Sequence, residues 1–147
     1  MIKREKNPGA VRQIFETFGD NLVSIVLFGS RARKNYSNFS DTDIIVVVNK
    51  YKDINLGKMR IKFLLDYGKS LDLHVFSKED VIKNFENRSP LFVTLLLGKK
   101  LLFDRDMFFR NEFEKFVKGM VNEKIKYCEG GKIWEMEKVA RSIEISL

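Results

Sequence analysis

The chain has 147 residues, 44% of them hydrophobic, with 27 Lys and Arg against 20 Asp and Glu for a formal charge of +7, which suits one packed domain with room for an appended piece and excludes a disordered chain. One cysteine, Cys128, excludes an intramolecular disulfide and a cysteine-built metal site, and one histidine, His74, excludes a multi-histidine zinc site within one chain. No apolar run nears the ~20 residues of a membrane span, and the charged N-terminus has no signal-peptide core, so a cytoplasmic protein without membrane attachment is expected.

Asn7-Pro8 opens a helix, with Val11, Ile14, Phe15 and Phe18 at helical spacing and Gly19 at its end. Leu22 to Phe28 is polar only at Ser24 and reads as a buried strand. Gly29 to Ser40 is polar and basic and reads as a loop, with a short helix starting at Ser30. Asp41 to Val48 is a second strand, most β-prone from Ile44 onward. Asp53 or Asn55 caps the next helix, whose buried face is Leu56, Met59, Phe63, Leu64 and Tyr67 and whose end is Gly68.

Leu71 to Phe76 is a third strand, alternating Leu71, Leu73 and Val75 against Asp72, His74 and Phe76. Ser77 and Asp80 resemble a capping box for a helix running to about Arg88. Ser89-Pro90 starts a shorter helix ended by Gly98, and Lys100 to Phe103 is expected to be the last strand. Beyond Asp104 the pattern reads as purely helical. Phe109, Phe113, Phe116 and Met120 share a face continued by Val117, Val121 and Ile125, Gly130-Gly131 breaks the helix, and Ile133, Met136, Val139, Ala140 and Ile143 form a second stripe anchored by Trp134. The expected architecture is α/β (α+β): a small mixed sheet flanked by helices over residues 1–104, with a C-terminal helical extension over 105–147.

The chemistry-bearing pattern is Gly29-Ser30 directly after a buried strand, followed by Asp41-Thr42-Asp43. Glycine permits a sharp turn and a close approach to a ligand, and Ser30 at a helix start offers a hydroxyl and backbone N–H groups suited to phosphate. Asp41 and Asp43, two apart at the head of a strand, point to one face, and keeping both ionised calls for a cation with a taste for oxygen, such as Mg²⁺. Asp72, on a neighbouring strand, completes a three-carboxylate cluster able to hold two ions, one activating an attacking hydroxyl and one steadying a triphosphate. Arg31, Arg33 and Lys34 lie between the two motifs, placed to neutralise phosphate. Each piece alone has a plainer reading: a turn for Gly-Ser, a capped loop for Asp-x-Asp, a strand-edge residue for Asp72, a structural role for His74, loop packing for Tyr36 and Phe39.

Gly29-Ser30-Arg31-Ala32-Arg33 followed by Ser40-Asp41-Thr42-Asp43-Ile44 resembles the signature of the minimal nucleotidyltransferases, the smallest members of the DNA polymerase beta-like superfamily. Leu71-Asp72-Leu73-His74-Val75 resembles the strand that carries their third carboxylate, and the likeness spans roughly residues 10 to 104. It implies the polymerase beta-like fold and Mg²⁺-dependent transfer of a nucleotidyl group, AMP foremost, from ATP or another nucleoside triphosphate to a hydroxyl. By the same resemblance Asp41 and Asp43 bind metal, Asp72 activates the acceptor as metal ligand or base, and Gly29 and Ser30 hold the β- and γ-phosphates. Lys34 departs from the glycine of many relatives, adding a phosphate contact or blocking a close approach.

A chain this short leaves little room for an acceptor domain, so the acceptor is expected to come with a partner or from a homodimer formed through the tail. The resemblance points to a HEPN-domain toxin modified on a tyrosine. Two other readings stay open: an antitoxin of weak activity acting by contact, and a nucleic-acid end-modifying enzyme, which the +7 charge would suit.

Overall fold

Leu22–Phe28 is buried along its whole length because both of its faces are covered. A computed structural model describes residues 8–29 and 42–147 of the chain. Among these, Leu22–Phe28 (β1) lies between Thr42–Val48 (β2) and Lys100–Asp104 (β4), antiparallel to both, and β2 pairs in parallel with Leu71–Ser77 (β3), for the order β3-β2-β1-β4. Parallel pairing requires a crossover, supplied by the helix Leu56–Tyr67 (α2).

Alternation sorts the side chains to two cores. Ile25, Leu27, Ile44, Val46, Val48, Leu71 and Leu73 pack under the helix Pro8–Phe18 (α1) and α2, through Ala10, Ile14, Phe18, Met59 and Phe63. On the opposite face Val26, Phe28, Ile45 and Val47 meet the helices Lys78–Glu86 (α3), Pro90–Thr94 (α4), Phe108–Met120 (α5) and Met136–Ile145 (α6). The Phe109, Phe113, Phe116 and Met120 stripe is buried there, so it serves the chain's own core rather than an outside partner. Asn55 caps α2 by accepting from the Lys58 N–H, and Ser77 caps α3 by accepting from the Asp80 N–H, as their spacing suggests. No helix among the described residues is long and apolar enough to cross a membrane.

Two expectations fail. On α2 only Met59 and Phe63 are buried, while Leu64 and Tyr67 are each 49% exposed. This helix is an outer layer that touches α1 and β3 along one narrow stripe, and Leu64 is turned about 100° away from Phe63. Tyr67 keeps only partial cover, its ring lying 4.9 Å from that of Phe63.

Nor is the segment after Asp104 purely helical, and β4 is not the last strand. Lys126–Glu129 (β5) and Lys132–Glu135 (β6) form an antiparallel hairpin. Gly130 and Gly131, both at positive φ (57° and 79°), are its two-residue turn rather than a helix break, the backbone shape that a right-twisted hairpin prefers. Tyr127 and Trp134 face each other across it with ring centroids 5.7 Å apart, so Trp134 anchors a hairpin, not a helix pair.

Asp104 ties β4 to the second layer. Its carboxylate accepts from the buried Ser24 hydroxyl (2.7 Å) and from the N–H groups of Phe109 (2.9 Å) and Arg110 (3.0 Å) at the start of α5. Asp104→Ala strands a buried hydroxyl and uncaps a helix, and should lower unfolding free energy by about 2–4 kcal/mol in urea titrations.

Candidate active site

The strand register writes one row of side chains across the sheet. Phe28 of β1 stands opposite Asp43 of β2, and Asp43 stands beside Asp72 of β3. The next row inward is Val26, Ile45 and His74. Residues paired in this way point to the same face, here the one covered by α3 to α6, so the row with two carboxylates ends the apolar core on that face. Apolar rows hold the strands in register, and a one-residue slip of β3 on β2 would send Asp72 to the other core, away from Asp43.

Gly29 shapes the position of Asp43. At φ 76° it turns the chain sharply at the end of β1. A Cβ placed there would lie 2.6 Å from Asp43 Oδ2 and 3.3 Å from its Cγ, so the carboxylate rests directly on the glycine backbone. Asp43, Asp72 and His74 each present a ligand-type atom, all within 4.8 Å of one another. His74 Nε2 lies 3.4 Å from Asp72 Oδ2, and its ring meets Phe28 edge-on at 5.4 Å. Both residues of that pair are about a third exposed (side chains 35% and 38%), open enough for a ligand to reach.

This donor set fits a hard divalent cation. Two carboxylates so close repel each other unless a cation or proton intervenes, and oxygen donors with room for water and phosphate suit Mg²⁺. The histidine nitrogen is a poorer Mg²⁺ ligand, and its contact suits it better to orienting Asp72.

The structure thus brings together Gly29, Asp43 and Asp72 of the residues singled out in the sequence. Ser30, Arg31, Arg33, Lys34 and Asp41, with Tyr36 and Phe39, lie outside the described residues. His74, two residues after Asp72 and so expected on its face, for which the sequence favours a structural role over one near the site, is a direct neighbour of Asp72.

Comparison with known proteins gives this geometry a context. Residues 10–108 match the family model for the polymerase beta nucleotidyltransferase domain. A candidate protein adenylyltransferase of Methanocaldococcus jannaschii, MJ1305, is 27% identical over 127 residues, covering 82% of this chain and 85% of that protein. Among solved structures, a mutant MntA–HpeT toxin–antitoxin aligns with a TM-score of 0.57 at 17% identity, over 78% of this chain and 86% of that one. A toxin–antitoxin crystallised with AMP-PNP aligns with a TM-score of 0.51 at 21% identity, over 74% and 84%. At these identities the two structures speak for the fold.

Gly29→Ala should push the Asp43 carboxylate out of place and weaken Mn²⁺ binding, followed by electron paramagnetic resonance, by about 10-fold or more. Gly68→Ala is the control: it shares a positive φ (66°) but has no heavy atom within 4 Å of the new Cβ, so it should cost about 1 kcal/mol of stability and leave Mn²⁺ affinity unchanged.

Proposed function

This chain belongs to the polymerase beta nucleotidyltransferase family, and we propose that it is a Mg²⁺-dependent protein adenylyltransferase that moves AMP from ATP to a tyrosine hydroxyl of a HEPN-domain toxin, acting as the antitoxin of the pair. The observation that carries the reading is the row Phe28, Asp43, Asp72, with the Asp43 carboxylate seated on the turn glycine that leads into the basic segment. The adenylyltransferase name of the Methanocaldococcus relative supports AMP as the transferred group, and the toxin–antitoxin setting of the aligned structures supports a protein acceptor.

In this reading Asp43 and Asp72, with Asp41, would hold two Mg²⁺ ions, which would neutralise charge on the triphosphate and make the acceptor hydroxyl easier to deprotonate. Asp72 sits on the edge strand β3 and receives the proton of the acceptor hydroxyl as that oxygen attacks the α-phosphorus and pyrophosphate leaves. His74, beside it, keeps the carboxylate turned toward Asp43. Gly29 brings the backbone close enough for Ser30 and the following N–H groups to hold the β- and γ-phosphates, and Arg31, Arg33 and Lys34 balance their charge. The formal charge of +7 adds a general attraction for the nucleotide.

Incubation with ATP labelled at the α-phosphate, Mg²⁺ and a co-encoded HEPN protein tests the reading. Label should appear on a tyrosine of the partner, and a folded pair that takes up none would overturn it. Asp72→Asn should cut the transfer rate by about 10²- to 10⁴-fold. The same substitution should change the melting temperature in EDTA little, because Asp72 is over a third exposed.

A further inference from the structure

The helix α2 is apolar on two opposite sides. Met59 and Phe63 face the core. Ile61 and Leu65, each two positions from a buried residue, are turned about 200° from it, and Leu64 lies beside them one turn after Ile61. Ile61, Leu64 and Leu65 are 61%, 49% and 79% exposed. A helix with apolar residues on both sides belongs between two layers, and among the described residues one side alone is covered. We propose that the outer stripe of α2 is the docking surface for the protein acceptor, an inference that rests on the adenylyltransferase reading above. The partner surface it fits is apolar at its centre and acidic at its rim.

Charge and position select this occupant. The later helices pair exposed cations with carboxylates close in sequence: Lys83 with Glu79 on α3, Lys115 with Glu112 on α5, Lys138 with Glu135 at the start of α6. On α2, Lys58 and Lys62 flank one side of the stripe and Arg60 the other. All three are exposed, and none has an ion-pair partner among the described residues. A second copy of this chain would set these cations against their own kind, whereas a partner with carboxylates around an apolar centre meets them. The stripe is aliphatic, so it lacks the aromatic faces on which single-stranded bases stack. As to position, α2 is the helix packed over β3, the end strand of the sheet. Gly68, at φ 66°, and the short link Lys69-Ser70 turn the chain straight back into β3. The last turn of α2, with Leu64 and Leu65, therefore stands at the end of β3 that carries Asp72. A protein lying against the stripe reaches the open edge of β3, where the acceptor hydroxyl meets Asp72.

The probe is the co-encoded HEPN protein, titrated against the full chain with ATP and Mg²⁺ saturating. Leu65→Glu, at a position exposed enough to leave the fold intact, should raise the KM for this acceptor about 10-fold or more while kcat and AMP-PNP affinity stay unchanged. The pair Lys58→Glu and Lys62→Glu should raise it by a factor that shrinks as salt rises. Lys118→Glu, exposed on α5 across the sheet, should leave it unchanged. If label reaches the partner and neither α2 variant moves KM, the docking assignment is overturned while the adenylyltransferase reading stands. If the partner takes up no label but binds in calorimetry, and Leu65→Glu weakens that binding, the transfer reading falls and the docking surface stands. A partner that neither binds nor takes up label overturns both. A dimer of the unaltered chain that Leu65→Glu splits in ultracentrifugation, or binding to vesicles of phosphatidylcholine and phosphatidylserine that it abolishes, would give the stripe another occupant and overturn the proposal.

Discussion

The parallel pairing of β2 with β3 is the constraint on which the rest of the site depends. Asp43 and Asp72 are 29 positions apart in sequence, and only this register places them side by side. The register is held by neighbours that do no chemistry: Ile44 against Leu73 and Val46 against Val75 toward one core, Ile45 and Val47 toward the other. Burial on both faces makes a slipped alignment costly, since each slip moves apolar groups out of two cores at once. The packing around them thus holds two carboxylates and His74 within 4.8 Å of one another, an arrangement suited to a cation.

A second layer of construction surrounds that row. Gly29 lets the chain turn away at the end of β1 without displacing Asp43, and Asp104 links buried Ser24 on the same strand to the start of α5. The hairpin of residues 126–135 then closes the open end of the face, with Tyr127 and Trp134 packed against the core under α5 and α6. The sheet, α4 and the hairpin together wall a groove beside Gly29.

Much of this was legible from residues alone, and the failures have physical causes. β1 coincides with the expected Leu22–Phe28, and the apolar run Ile44–Val48 announced β2, because fully buried strands are apolar on both faces and carry strong β formers. The pairing of Asp72 with Asp43 was read from motif order. The hairpin was missed because Lys126-Tyr-Cys-Glu and Lys132-Ile-Trp-Glu are four-residue strands, too short for alternation to compete with the helical stripes on either side. The Gly-Gly dipeptide between them was the available turn signal. Leu64 and Tyr67 were misplaced because an apolar residue at helical spacing does not reveal how wide a stripe its neighbours can cover. Strand phase set His74 on the face of Asp72, but phase alone does not tell a structural histidine from one that meets the carboxylate, and the 3.4 Å contact does.

A crystal of this chain soaked with Mn²⁺ and AMP-PNP, with the metal located by anomalous scattering, measures the central claim most directly. The account predicts a metal peak within ligand distance of the Asp43 and Asp72 carboxylates, with the triphosphate beside Gly29. A nucleotide bound elsewhere, or one bound with both carboxylates free of metal, would contradict it.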